Sequence, residues 1–382
     1  MNKFLYKWTV VAAIAMGSFT ALHADAAESG VSSGEIRVGT SLALTGPIKN
    51  LGESMRDGMK LYIDNVNREG GVNGRKIKLI VLDDNYDVEK AKANVKKLIE
   101  EEQVFSLLGN MGTPTVLATL PIADAARVPF FAPLTGSDQV RATKSPMLYT
   151  INAAYSDEIG KILSHLKLLD IDKIGLIYQN NAFGKSGLQA ATDAAKNNKQ
   201  NLIAIAPVEG NSSNVAEAIA KVAAQNPTAV VIATAGKVTV DLVRAYQATG
   251  QRAQLYMWSV ADVQALHSAL GPAVRGIVVS QTLPPPWLAT IPVINDYKRA
   301  TKAVNFDKVD YTHLLGYISA KAFVEAARRT GRELTRERFA STIASAGAMD
   351  LGGYRVKFSR DQQNGSAYVE LTMLDKNGKF VR

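Results

Sequence analysis

From Glu35 onward the chain alternates short runs of branched apolar residues with segments of helical periodicity, and this rhythm starts twice. In "EIRVGTSLAL" Ile36 and Val38 point one way, as in a strand. Met55, Met59, Tyr62, Ile63 and Val66 then recur at helical spacing until Gly70-Gly71 stops the helix. "KIKLIVL" reads as a second strand, Val88 to Ile99 as a second helix, and "VFSLLG", "TPTVLATLPIADAA" and "VPFFAP" as strand, helix and strand. Such alternation predicts a parallel sheet with helices on both faces.

After "MLYTINAAYSDE" and a helix through Ile159, Ile162, Leu163 and Leu166, the series begins again with "KIGLIYQ". It continues through "LIAIAPV", "TAVVIA", "QLYMW" and "GIVVS", with helices over Leu188–Ala195, Val215–Val222 and Val238–Tyr246 between them. No residue-level repeat accompanies the restart. Past Ser280 the rigid "TLPPPW" changes the pattern. Helices follow around Ile294–Ala303, Tyr311–Arg329 and Arg336–Ala344, and the chain closes with "YRVKFS", a polar stretch and "AYVELTML". The expected fold class is therefore α/β, with two similar doubly wound parallel-sheet lobes. A length of 382 residues suits two lobes better than one core.

The first residues follow different rules. Lys3 and Lys7 precede an apolar run from Trp8 to Leu22, and Ala24-Asp25-Ala26 ends it with small residues at the positions a signal peptidase reads. Residues 1–26 are expected to be a cleaved secretory signal, too short to span a bilayer, and the mature protein to be periplasmic and not membrane-anchored. Cysteine is absent, which excludes disulfides, thiolate nucleophiles, thiolate metal sites and a lipidated cysteine. The formal charge of +9 comes from Lys and Arg interleaved with acids, as in Lys92, Lys96 and Lys97 against Glu89, Glu100 and Glu101. That pattern describes solvated helix faces; no nucleic-acid partner is expected.

Enzyme motifs fail on inspection. Gly184-Lys185-Ser186 mimics the tail of a phosphate loop, but the glycine needed five residues earlier is Gln179. No nucleophile elbow occurs, and His165, His267 and His313 have no metal-ligand spacing. No catalytic residue, metal or cofactor is expected.

Open parallel sheets bind ligands beyond the carboxyl ends of their strands. In the first series those ends carry "GNMGTPT" and "PLTGSDQVR". Thr113 there reads as a helix N-cap with Pro114 behind it, a place where free N–H groups favour an anion. Thr135, Gly136 and Ser137 offer hydroxyls and an approachable backbone. In the second series the ends are "YQNNAFG", "ATAGKVT" and "WSVAD", which put forward Phe183 as an apolar wall, Lys237 as a cation at a helix start, and Ser259 and Asp262 as polar partners.

These motifs, in this order, resemble the leucine/isoleucine/valine-binding protein family. The likeness begins at "SLALTGPIKNLGESMRDGMKLYIDNVNREGGVNGRKIKLIVLDDNYD", continues through "GNMGTPT", "VPFFAPLTGSDQVR" and "YQNNAFGKSGL", and ends at "GKFV". The resemblance implies a type I periplasmic-binding fold whose lobes are joined by three crossings, near Ala153–Ser156, Gln281–Pro284 and Asp361–Ser366. Lobe 1 would comprise 34–154 plus 283–362, and lobe 2 155–282 plus 363–382. It implies that Thr113 meets a ligand carboxylate, that Leu134 to Ser137 supply backbone and hydroxyl partners, and that Phe183 and Tyr155 border the cleft. Ser259 stands where branched-chain amino-acid binders resemble one another in carrying a Glu for the ligand ammonium. A serine lacks that charge, so a carboxylate without an ammonium is expected to rival an amino acid, unless Asp262 or Asp157 supplies the missing acid. The expected partners are a small-molecule solute and ABC permease subunits, with the protein a monomer that ferries solute to an importer; the alternative is a receptor for a membrane sensor.

Overall fold

The computed structural model describes residues 28–307 and 309–381. The secretory signal read over residues 1–26 lies outside the described residues. The first series forms β1 (Glu35–Leu42), α1 (Lys49–Arg68), β2 (Lys76–Asp83), α2 (Val88–Glu100), β3 (Ser106–Leu108), α3 (Thr113–Ala125), β4 (Phe130–Phe131), α4 (Asp138–Ala142) and β5 (Leu148–Tyr149). The second forms α5 (Tyr155–Leu168), β6 (Lys173–Gln179), α6 (Ala182–Asn198), β7 (Asn201–Val208), α7 (Val215–Ala223), β8 (Ala229–Ala233), α8 (Lys237–Ala248), β9 (Gln254–Met257), α9 (Val263–Leu270) and β10 (Val278–Gln281). There follow α10 (Pro292–Ala303), α11 (Tyr311–Thr330), α12 (Arg336–Ser345), β11 (Gly347–Asp350), β12 (Arg355–Phe358), β13 (Glu370–Leu374) and β14 (Phe380–Val381).

The strands of the first sheet run β2-β1-β3-β4-β5, all parallel. The parallel part of the second runs β7-β6-β8-β9-β10, the same order position by position, with β13 added antiparallel beside β10 and β14 antiparallel beside β13. Each lobe therefore has one topological switch point, between β1 and β3 and between β6 and β8, where flanking loops diverge and leave a crevice.

The late helices return to the first sheet. Leu314, Ile318, Phe323 and Phe339 share one apolar core with Ile36, Met55, Met59 and Phe131. The close crossing of α1 and α11 rests on two glycines. A Cβ on Gly58 would overlap the carbonyl of His313, and one on Gly316 would overlap the carbonyl of Met55. Two further cores sandwich the second sheet.

The chain passes between the sheets after β5, after β10 and after β12. The passages are tied together: the Tyr354 hydroxyl donates to the carbonyls of Ile151 (2.7 Å) and Thr282 (3.4 Å), and the Thr150 N–H donates to Gln363 O (3.0 Å). No described helix is long and apolar enough to cross a membrane. One local expectation shifts by a residue: Gly112, at φ 95°, is the N-cap of α3, and Thr113 is its first helical residue. The short α4, α9 and β11 escape the sequence pattern because each is too brief to show a period.

Candidate functional site

The two switch points face each other across a closed cleft. The Asn50 side-chain amide, at the start of α1, donates to Asp262 at the start of α9 (2.8 Å). The hydroxyls of Ser137 and Ser186 share a hydrogen bond across the same gap (2.8 Å). Gly236, at φ 71°, lies so close to the Pro47 carbonyl that any side chain would collide with it.

Beneath these contacts the strand ends of the first lobe present Thr113 and Thr135, both buried, whose hydroxyls are hydrogen-bonded to each other (2.8 Å). Tyr155 comes down on them. Its N–H donates to Gly136 O (2.7 Å), and its phenol faces Thr135, the Gly136 backbone and Thr113. Burial pushes that phenol pKa up, so it stays a neutral donor. The ring packs on Trp258 (centroids 4.4 Å) and edge-on to Phe183 (5.6 Å), while Phe183 and Trp258 lie 4.8 Å apart. Phe183 thus backs Tyr155 and lines neither of the cavities described below. Trp258 is a residue the sequence reading passed over, since at the end of an apolar strand it reads as ordinary core.

Arg141 sits under the Thr135 loop, largely buried, and donates to the carbonyls of Thr135, Ser137, Asn152 and Ala153. Burial lowers its pKa. Its donors are committed to backbone, so this cation holds the loop against the first passage between lobes.

A carboxyl group stands close behind Ser259. Both the Ser259 N–H and its hydroxyl donate to the carboxylate of Glu158 (2.9 Å each), and Ser280 donates a third bond (2.6 Å). Glu158 is buried in the first turns of α5, and burial raises its pKa to about 7 against the pull of Ser280, Ser259 and Arg141. The carboxyl group behind Ser259 comes from another helix, and it lines neither of the two cavities described below. Asp157 does not take this role, because it caps α5 by accepting the Ala154 N–H (2.9 Å).

Two cavities adjoin this wall. One, of about 450 Å³, is lined by Asn50, Ser259, Asp262, Gln281, Asp310 and Tyr311, among others. A second, of about 20 Å³, lies among Leu134, Thr135, Gly136, Asn152 and Tyr155. Ser259, Gln281, Tyr311 and Thr312 border both, so the cavities lie in series along one cleft. Lys237 is not brought to either: its side chain is 74% exposed and pairs with Asp241 one turn along α8 (2.5 Å). Thr113 and Ser137 stand behind the walls. The sequence reading missed Glu158, Gln281, Trp287, Asp310 and Tyr311. For Asp310 there was a signal, since an Asp before Tyr311-Thr312-His313 is a good helix cap, and its carboxylate accepts the His313 N–H (2.7 Å).

Comparison with known proteins agrees with the fold. The substrate-binding periplasmic protein of Ralstonia solanacearum superposes with a TM-score of 0.84 at 32% identity, over 91% of this chain and 99% of that one. A "possible leucine/isoleucine/valine-binding protein" of Rhodopirellula baltica gives 0.87 at 25%, over 94% and 98%. The Leu/Ile/Val-binding protein homolog 7 of Brucella abortus is 24% identical over 211 residues, 53% of this chain and 52% of that protein, so the match spans about half its length. The periplasmic binding protein family profile matches residues 35–379, and the chain belongs to that family of two-lobed α/β solute-binding proteins.

Proposed function

We propose that this protein is the receptor of an ABC importer, closing in the periplasm on a small carboxylate-bearing solute of the amino-acid kind. The observation that carries the reading is the pair of cavities in series between lobes already joined by the Asn50–Asp262 and Ser137–Ser186 bonds. A solute lying there touches both lobes at once, and only the closed arrangement offers that, so binding shifts the population toward closure.

The small cavity has room for one water-sized group. Thr135, Gly136 and Tyr155 surround it, which suits a carboxylate oxygen. The larger cavity takes the body of the solute. Glu158 behind Ser259 favours an amino acid over its deaminated analogue, the reverse of what Ser259 suggests by itself.

A thermal-shift panel of amino acids, aliphatic acids and aromatic acids tests the reading, followed by small-angle scattering with the best binder. Stabilisation with a smaller radius of gyration is expected. No stabilisation across the panel, or an unchanged radius at saturation, would sink it.

A further inference from the structure

The larger cavity has a chemical character of its own. Asp262 from the second lobe and Asp310 from the first both line it. Their charges are close enough that Asp262 helps burial to raise the Asp310 pKa. Each carboxylate keeps acceptor capacity: Asp262 accepts from Ala265 N–H and Asn50, and Asp310 from His313 N–H and Ser54, with the Thr312 N–H also directed at it. Gln281, 2% exposed, lines the same wall, and its Oε1 has no hydrogen-bond partner among the described residues. A buried acceptor left alone is costly, which points to a donor arriving from outside.

Three aromatic rings also line the chamber, beside aliphatic residues such as Leu51 and Val263. Trp287 and Phe380 stack (centroids 5.7 Å, planes 13° apart), and Tyr311 stands edge-on to both, at 5.7 Å and 5.1 Å. Among the described lining residues the one basic side chain is Lys379, which is solvent-exposed. Acceptors and ring faces therefore surround a space with almost no positive charge. Facing carboxylates repel when the lobes close, unless a cation lies between them. Aromatic rings add attraction for a cation, strongest where water is excluded.

We propose that this chamber seats an organic cation, the ammonium or quaternary ammonium pole of the solute, between Asp262 and Asp310, with Gln281 accepting from it where it has N–H groups and Trp287, Tyr311 and Phe380 enclosing it. The proposal rests on the solute-binding reading above and adds the charge of the far end of the solute.

Two pairs of probes test it by calorimetry on the wild-type protein. In each pair the carboxylate and the shape are kept and only the positive charge is removed: 4-(trimethylammonio)butanoate against 5,5-dimethylhexanoate, and 5-aminopentanoate against hexanoate. The cationic member of at least one pair is expected to bind tenfold or more tightly than its partner. The double variant Asp262→Asn/Asp310→Asn keeps both helix caps, since Asn accepts the same N–H bonds. It should reduce that preference to below threefold. Equal or tighter binding of the uncharged member in both pairs overturns the inference and leaves the solute-binding reading standing. So does a panel solute without a cationic group that binds when neither probe cation does, or a cationic solute whose affinity survives the double variant. If no probe and no panel solute binds at all, the solute-binding reading itself fails, and the inference with it.

Discussion

Ser259 gives both its N–H and its hydroxyl to the carboxylate of Glu158, at 2.9 Å each. The acid belongs to α5, just past the first passage between the lobes, and the serine to the loop that opens α9. The pair joins two of the second-lobe elements near the cleft. With Ser280 adding a third donor, Glu158 is held as a buried, hydrogen-bonded acid rather than an exposed one.

This buried acid sets a pH dependence. Its folded pKa is about 7, above the ordinary value of 4.5, chiefly because burial penalises the charge. Between those values the folded state holds a proton that the unfolded state has released. The resulting stabilisation is fully present below about pH 4.5, declines as pH rises, and is gone above about pH 7. The whole effect is on the order of 3 kcal/mol. Glu158→Gln abolishes the titration, so the stability of wild type relative to this variant should fall between pH 5 and pH 8. Urea unfolding of both proteins at the two pH values measures it; a constant difference would mean that Glu158 titrates alike in both states.

Gly316 gives a prediction of unusual sign. In an exposed helix Gly→Ala stabilises by up to about 1 kcal/mol. Here a Cβ would strike the Met55 carbonyl of α1, a backbone atom that cannot turn aside. Gly316→Ala should instead destabilise by about 2 kcal/mol or more. Denaturant unfolding decides, and a neutral or stabilised variant would show that α1 and α11 can separate without loss.

Thr113 and Thr135 share a hydroxyl–hydroxyl bond at the bottom of the cleft, under Tyr155, and Thr135 Oγ1 also accepts the Ser137 N–H (3.2 Å). Thr113→Val keeps the shape and removes one bond of the buried Thr135 hydroxyl, which keeps the Ser137 N–H as a partner. A loss of about 0.5–1.5 kcal/mol in the ligand-free protein is expected, restored in large part by Thr113→Ser. Unchanged unfolding free energy for the valine variant would show that the hydroxyl pair adds nothing to stability.

These residues also mark where sequence reasoning stops. The two sheets were legible because strand and helix periods repeat along the chain, and the loops at Thr113, Thr135 and Ser259 stood at strand ends by that count alone. Lys237 misled, although Asp241 four residues on was a visible partner for it. Glu158 was hidden because an acid in the first turns of an amphipathic helix looks like a complement to the helix dipole. Trp287, Tyr311 and Phe380 come from three distant segments, and no local pattern records that the passages between lobes bring them into one chamber.

The hydroxyl pair of Ser137 and Ser186 offers a direct measure of closure. The bond spans the lobes, so it exists only when they are together, and neither residue lines the described cavities. Ser137 also caps α4 through the Val140 N–H, so changing it disturbs a helix as well. Ser186 is the cleaner position. A net hydrogen bond is worth about 0.5–1.5 kcal/mol, and here all of it favours the closed form. Ser186→Ala should therefore raise the dissociation constant of any cleft solute roughly two- to tenfold. The unfolding free energy of the open, ligand-free protein should hardly move. Calorimetry with the best panel solute gives the first number and urea unfolding the second. A double-mutant cycle with Ser137→Ala isolates the pair from the helix cap. A zero coupling energy in ligand binding would show that closure draws nothing from this bond, and would leave Asn50–Asp262 as the contact to test in its place.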